Sequence, residues 1–202
     1  MPSIIRRDAL RTEAASSLKI ATAALLALAL VSGCGEPERE YQVPSSLCGT
    51  KVDPEKVEPF LPGGKEVSEK DSPGPTDKVG LDCRLSVDGE EELEISGSWV
   101  LRKDLKIRGY DINDPTRLKG GKHIVGERAA ASHFPCLNPK ARLGTRTPPG
   151  EKHKTVPADT YLIEVEARHE PEDPEESKKA MKRFIVPFSE AVKKQLPCQA
   201  PK

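Results

Sequence analysis

The sequence of 202 residues is short of aromatics, with one Trp, three Tyr and four Phe making up only 4% of it. Large rings carry much of the buried area of an ordinary core. A chain this poor in them builds a small core with long connections and needs help from crosslinks. An excess of charge is missing too: Lys and Arg number 32 and Asp and Glu number 32, which leaves no electrostatic footprint for nucleic acid. Catalytic signatures are absent. There is no G-x-S-x-G elbow, and Gly120-Gly121 lacks both a third glycine and a preceding strand, so no phosphate-cradling loop is expected. His123, His133, His153 and His169 are not paired at i, i+2 or i, i+4, and no two cysteines form a CxxC-type pair. A zinc site therefore has no local support. The acidic clusters Glu90-Glu91-Glu92 and Glu172-Asp173 with Glu175-Glu176 lack the ligand spacing of a calcium loop. Solvated turn and helix-start charges account for them, and no cofactor or metal is expected.

What the chain does have begins at its start. Arg6, Arg7, Arg11 and Lys19 precede an uncharged apolar stretch from Ile20 to Val31. A hydrocarbon core of about 30 Å needs roughly 20 apolar residues, so this stretch is too short to span one. It fits a secretory h-region of about 7–15 residues followed by small residues. Ser32-Gly33-Cys34 come next. The segment resembles the bacterial lipoprotein signal, in which a small residue precedes a cysteine that is lipidated and becomes the mature N-terminus. The resemblance implies cleavage between Gly33 and Cys34, a diacylglycerol thioether on Cys34, and anchoring to the extracytoplasmic face of the cell membrane. Residues 1–33 would be the signal peptide. Residues 34–46, opening with the polar run Gly35-Glu36-Pro37-Glu38-Arg39-Glu40, would be a flexible tether. Each buried methylene contributes about 0.8 kcal/mol, so one acyl chain binds marginally and two hold stably. Arg6-Arg7 also permits twin-arginine export in place of the general secretory route. Loss of the leader removes four cations and two anions, which leaves a net charge of about −2.

With Cys34 set aside, Cys48, Cys83, Cys136 and Cys198 remain. An even number in an exported chain implies two disulfides. Three pairings are possible. The preferred one is Cys48–Cys83 with Cys136–Cys198, each closing a loop worth roughly 3–4 kcal/mol in the chain-entropy model.

The elements follow from local pattern. Asp53 caps and Pro54 opens a short helix with Val57, Phe60 and Leu61 on one face, and Pro62-Gly63-Gly64 stops it. Residues 65–78 are expected to be a loop. Val79 to Val87 and Leu93 to Leu101 alternate apolar with polar on either side of Asp88-Gly89, which signals a hairpin. Its odd-numbered residues, Cys83 and Trp99 included, should face the core. A ligand-stacking role for Trp99 is the competing reading. Residues 103–122 have no clean period, and a third strand is expected within Ile124–Cys136. Residues 138–159 are expected to be a long basic loop, with Lys140, Arg142, Arg146, Lys152 and Lys154 set against Glu151 and Asp159. They are candidate contacts for anionic lipid headgroups or wall polymers. Tyr161, Ile163, Val165 and Ala167 mark a fourth strand, with Leu162, Glu164 and Glu166 facing away. Asp173-Pro174 starts a final helix with a stripe of Met181, Phe184, Ile185, Phe188, Val192 and Leu196. Pro187 is expected to kink or break it. The sum is an α+β domain over residues 47–198. It has an antiparallel sheet of about four or more strands, a C-terminal helix and a short N-terminal helix packed on it, and two disulfides.

Ser45-Ser46-Leu47-Cys48-Gly49 before the short helix, Cys83 ahead of Asp88-Gly89, Cys136 ending a strand and Cys198 closing the last helix resemble a family pattern. It is that of actinobacterial secreted lipoproteins with a four-cysteine domain of unassigned function, although Arg84 stands where the pattern has tryptophan. The resemblance implies a surface-exposed binding or sensory module with a protein or envelope ligand as partner. It supplies no active-site residues. The alternative is a cell-envelope hydrolase or an accessory subunit of a membrane complex. A deep pocket of convergent Asp/Glu or Ser/His groups would favour the hydrolase.

Overall fold

The computed structural model describes residues 37–71, 80–107, 115–145 and 154–199. The leader, Cys34, Arg146, Lys152 and His153 lie outside these. In chain order the elements are β1 (Ser46–Leu47), β2 (Thr50–Lys51), α1 (Pro54–Val57), β3 (Val67–Asp71), β4 (Leu81–Val87) and β5 (Glu90–Val100). Then come β6 (Thr116–Leu118), β7 (His123–Val125), β8 (Ala129–Gly144), β9 (Thr155–Ala167) and α2 (Pro174–Gln195). Short 3-10 turns cover Glu58–Phe60 and Arg102–Asp104. Strands β3 to β9 form one antiparallel sheet of seven, ordered β3-β4-β5-β9-β8-β7-β6, and β1 and β2 form a separate hairpin. The α+β class and the helix placement agree with the sequence pattern.

Asp88 and Gly89 both take positive φ, as a two-residue hairpin turn requires. Cys48 and Gly49 do the same between β1 and β2. Along β4, and along β5 from Leu93 on, the odd-numbered residues are buried, with Cys83 opposite Ile95 and Leu85 opposite Leu93. Trp99 is a core residue, edge-on to Tyr161 with ring centroids 4.8 Å apart. Tyr161 lies over Gly97, where a Cβ would come within 2.5 Å of the phenolic oxygen. Only glycine permits that approach. β9 departs from the expected in-out alternation, since Leu162 and Glu164 are buried as well. It is the middle strand of seven, and side chains of both neighbours stand about 5 Å away on its outward face.

Asp53 accepts a hydrogen bond from the Glu55 amide at 3.2 Å and opens α1, while Val57 and Phe60 are fully buried. Asp173 caps α2 by accepting from the Glu176 amide at 2.9 Å. Phe184 of α2 meets Phe60 edge-on at 5.9 Å and stacks with Phe188 at 5.2 Å. The helix runs on through Pro187 without the expected break. Pro187 and Arg183 share its exposed face, where water can take the carbonyl that loses its partner.

Further expectations need correction. Residues 65–78 are not wholly a loop, because Val67–Asp71 pair with β4 as an edge strand. Thr116–Leu118, in the stretch without period, form the other edge. Residues 138–159 are not a long loop either: β8 continues to Gly144 and β9 starts at Thr155, so residues 138–144 and 155–159 belong to strands. Two register shifts, between Pro135 and Asn138 and between Asn138 and Arg142, break the period of β8 and hide it from pattern reading. Residues 37–46, placed in a tether by composition, lie against the domain. Arg39 bridges to Gly64, its guanidinium donates to the Leu61 carbonyl at 2.7 Å and pairs with Glu58 at 2.6 Å, and Tyr41 donates to the Pro62 carbonyl.

The disulfides have the preferred pairing. Cys48–Cys83 ties the β1–β2 turn to β4, and Cys136–Cys198 ties β8 to the chain just after α2. Their sequence separations are 35 and 62 residues. Loop-closure entropy assigns each about 4 kcal/mol, the longer loop slightly more. Replacing Cys136 and Cys198 together by Ala should lower the unfolding free energy in urea by about that amount. An unchanged unfolding midpoint would contradict this.

Candidate functional site

Strand β5 pairs with β9 no further than Val100 opposite Thr160. Past that point β8 and β9 continue as a two-stranded ribbon, with Asn138 opposite Ala158, Arg142 opposite Pro157 and Gly144 opposite Thr155. The ribbon's base is fastened by Cys136–Cys198 and by the Gln199 amide donating to the Leu137 carbonyl at 3.0 Å. Near its far end the Thr145 amide donates to the Lys154 carbonyl at 2.9 Å.

The structure separates the basic residues that composition grouped together. Arg142 is a cross-strand brace: its Nε donates to Thr155 Oγ1 at 2.9 Å and its Nη2 to the Thr155 carbonyl at 2.6 Å. Lys140 and Lys154 are exposed along the ribbon, and the Lys140 amide donates to the Asn138 side chain at 3.0 Å. Arg146 and Lys152 lie outside the described residues. Asp159, counted among the anions of this stretch, accepts from the Arg102 amide at 2.7 Å and holds the turn that ends β5.

The acidic clusters serve the fold. Glu91 pairs with Arg168 at 2.9 Å and Arg84 at 3.5 Å, and Asp173 and Glu176 belong to the start of α2. Burial pushes the Glu92 carboxyl above its ordinary range. Among the described residues no three His, Cys, Asp or Glu side chains are grouped to hold a metal ion.

One pair with chemical potential emerges that sequence reasoning missed. His123 Nδ1 and Ser132 Oγ share a hydrogen bond of 2.9 Å between β7 and β8. The only signal that could have found it is the β7–β8 register, and Ala129-Ala130-Ala131 gives no alternation from which to set it. Both side chains are buried, at 4% and 1% exposure, which keeps a substrate away from the hydroxyl. Desolvation, with Lys119 adding to it, holds the imidazole below its ordinary value of 6.5. His133 instead meets the Gly121 carbonyl through Nε2 at 3.1 Å.

Two clefts stand out on the described surface. One, of about 60 Å³, lies between α1 and α2 beside Asp53, Lys56 and Phe188. The other, of about 190 Å³, lies between β6 and α2 beside Thr116, Glu175 and Lys182. Each is lined by one carboxylate and no histidine, and both fall below the roughly 300 Å³ at which small-molecule pockets begin. Neither gathers the convergent groups a hydrolase needs. In comparison with family models, curated proteins and solved structures, the chain matches none.

The buried His123 carries a pH dependence. Its folded value lies below 6.5, so the unfolded chain binds the proton more readily than the native one. The stability this contributes is complete above about pH 6.5 and is lost as pH falls below it. Part of the wild-type drop in Tm between about pH 7 and pH 5 should therefore vanish in His123→Asn, measured by thermal unfolding. Parallel profiles for the two proteins would contradict the assignment.

Proposed function

We propose that the chain is a lipid-anchored extracytoplasmic lipoprotein of the actinobacterial four-cysteine kind, whose domain acts as a binding or interaction module at the cell surface. The observation that carries this reading is how the cysteines are used. The four in the domain are consumed in two disulfides, and the fifth, Cys34, stands alone behind an apolar leader and a small residue. Disulfides persist in oxidising compartments, which supports export. Among the described residues no helix is long and apolar enough to cross a membrane, and the acyl chains on Cys34 would supply the attachment. A module that binds is favoured over a hydrolase because the clefts are small and the Ser132–His123 pair is sealed. The projecting feature is a charged ribbon.

In the native host, Cys34→Ser should release the protein to the medium or leave it as unprocessed precursor. Membrane fractionation, with mass determination of the mature N-terminus, checks this. Unchanged processing and retention would overturn the anchor.

A further inference from the structure

The β6–β7 hairpin is lightly secured. β6 is the outermost strand on its side of the sheet, and each of the two strands is three residues long. Neither disulfide touches the hairpin, and the rings of Trp99, Phe134 and Tyr161 lie on strands beyond it. β7 joins the sheet through His123 opposite Ser132, Ile124 opposite Ala131 and Val125 opposite Ala130. All three of its residues are buried, and α2 packs against it. A short edge with few partners opens locally at less cost than the strands at the centre of a sheet.

From Thr116 to Val125 only His123 changes charge near neutral pH. It is 4% exposed, and its Nδ1 shares the 2.9 Å hydrogen bond with Ser132 Oγ. Protonation keeps that bond, because a hydroxyl oxygen accepts as well as it donates. What protonation adds is a charge in a site shielded from water. Lys119 and Lys122, at the two ends of the Gly120-Gly121 turn, and His133 of β8 bring positive charge to the same site, and Glu190 of α2 stands against them. His133 holds the Gly121 carbonyl through Nε2 at 3.1 Å, a contact that an imidazolium also makes. Acid therefore acts on the hairpin through His123. We propose that the β6–β7 hairpin is an acid-released edge of the sheet: a proton on His123 frees it from β8 and α2 while the rest of the domain stays folded. In the open hairpin the imidazole regains water and titrates near its ordinary 6.5, so the hairpin is fully held above that pH. Below it the open fraction rises by at most about tenfold per pH unit, as one proton is taken up. Opening uncovers Ala130 and Ser132, which are 2% and 1% exposed when closed, and leaves the backbone of β8 there as a bare sheet edge. The inference rests on the fold and not on the anchor.

The test is amide hydrogen exchange of the full chain, read by mass spectrometry at about pH 7 and about pH 5 and corrected for intrinsic rates. Peptides covering residues 116–125 and 130–132 should lose protection several-fold between the two, while those covering residues 93–100 of β5 keep theirs. His123→Asn, which stays neutral, should abolish the loss. Two surface changes leave the His123–Ser132 pair in place. Glu190→Gln removes the opposing anion and should deepen the loss in acid. Lys119→Gln with Lys122→Gln removes the repelling cations and should lessen it. If His123→Asn does not fold, these two variants decide the matter. Protection of residues 116–125 that ignores pH would overturn the proposal, as would a loss that His123→Asn or both surface variants leave unchanged. An equal loss in β5 would mean that acid unfolds the whole domain, and would overturn it too.

Discussion

The fold depends on one close approach, Tyr161 laid over Gly97. With so few aromatics, the sheet concentrates them. Tyr161 on the central strand meets Trp99 on β5 at 4.8 Å and Phe134 on β8 at 6.0 Å, and Lys193 of α2 sits over the Phe134 ring at 5.5 Å. Three neighbouring strands and the long helix are joined through that cluster. Aromatic pairs contribute about 0.5–1.5 kcal/mol beyond their area burial, and burial also holds the Tyr161 phenol well above its ordinary range of titration. The disulfides fasten two parts that the cluster does not reach: the β1–β2 hairpin at one side and the chain after α2 at the other.

Asp88 shows how one residue can serve turn and docking together. Its positive φ makes the hairpin, which asparagine or glycine would also allow. Its carboxylate accepts from the Lys65 amide at 3.1 Å and the Glu66 amide at 2.9 Å, and its own amide donates to the Glu66 carbonyl at 2.9 Å. The segment carrying Gly63 and Gly64 is thereby held where Pro37 and Arg39 can dock. The position at which the N-terminal segment joins the domain therefore follows from a turn residue some fifty positions further along the chain.

The sequence was legible where a single period governs. Two-residue alternation around Asp88-Gly89 and the stripe from Met181 to Leu196 each report one buried face, and structure and pattern agree there. Agreement ends where a second constraint overrides the period. β3 is a charged edge strand, Val67-Ser68-Glu69-Lys70-Asp71, with little to distinguish it from a loop. β8 carries bulges that shift its faces twice, so Lys140 and Arg142 look like loop residues although they sit on a strand. β9 buries both faces because it is central, which local alternation does not encode. Composition could gather the cations of this region. It could not tell that Arg142 is committed to Thr155, nor that His123 and Ser132 meet across two strands.

The ribbon's backbone bears on the kind of contact it can make. Once β5 has ended, β9 and β8 extend with edges no longer covered by the sheet, and bare edges recruit further strands unless something blocks them. Pro135 and Pro139 remove two amides from β8 and Pro157 removes one from β9. The bulges after Pro135 and Asn138 interrupt what ladder remains, and Lys140 and Arg142 place charge beside it. An incoming strand would find neither an unbroken row of donors nor a flat edge. Addition of a partner's β-strand is therefore disfavoured here by the same features that hid β8 from pattern reading. What the ribbon presents outward is its side chains. They stand on a scaffold braced by Arg142 and stapled at its base by Cys136–Cys198.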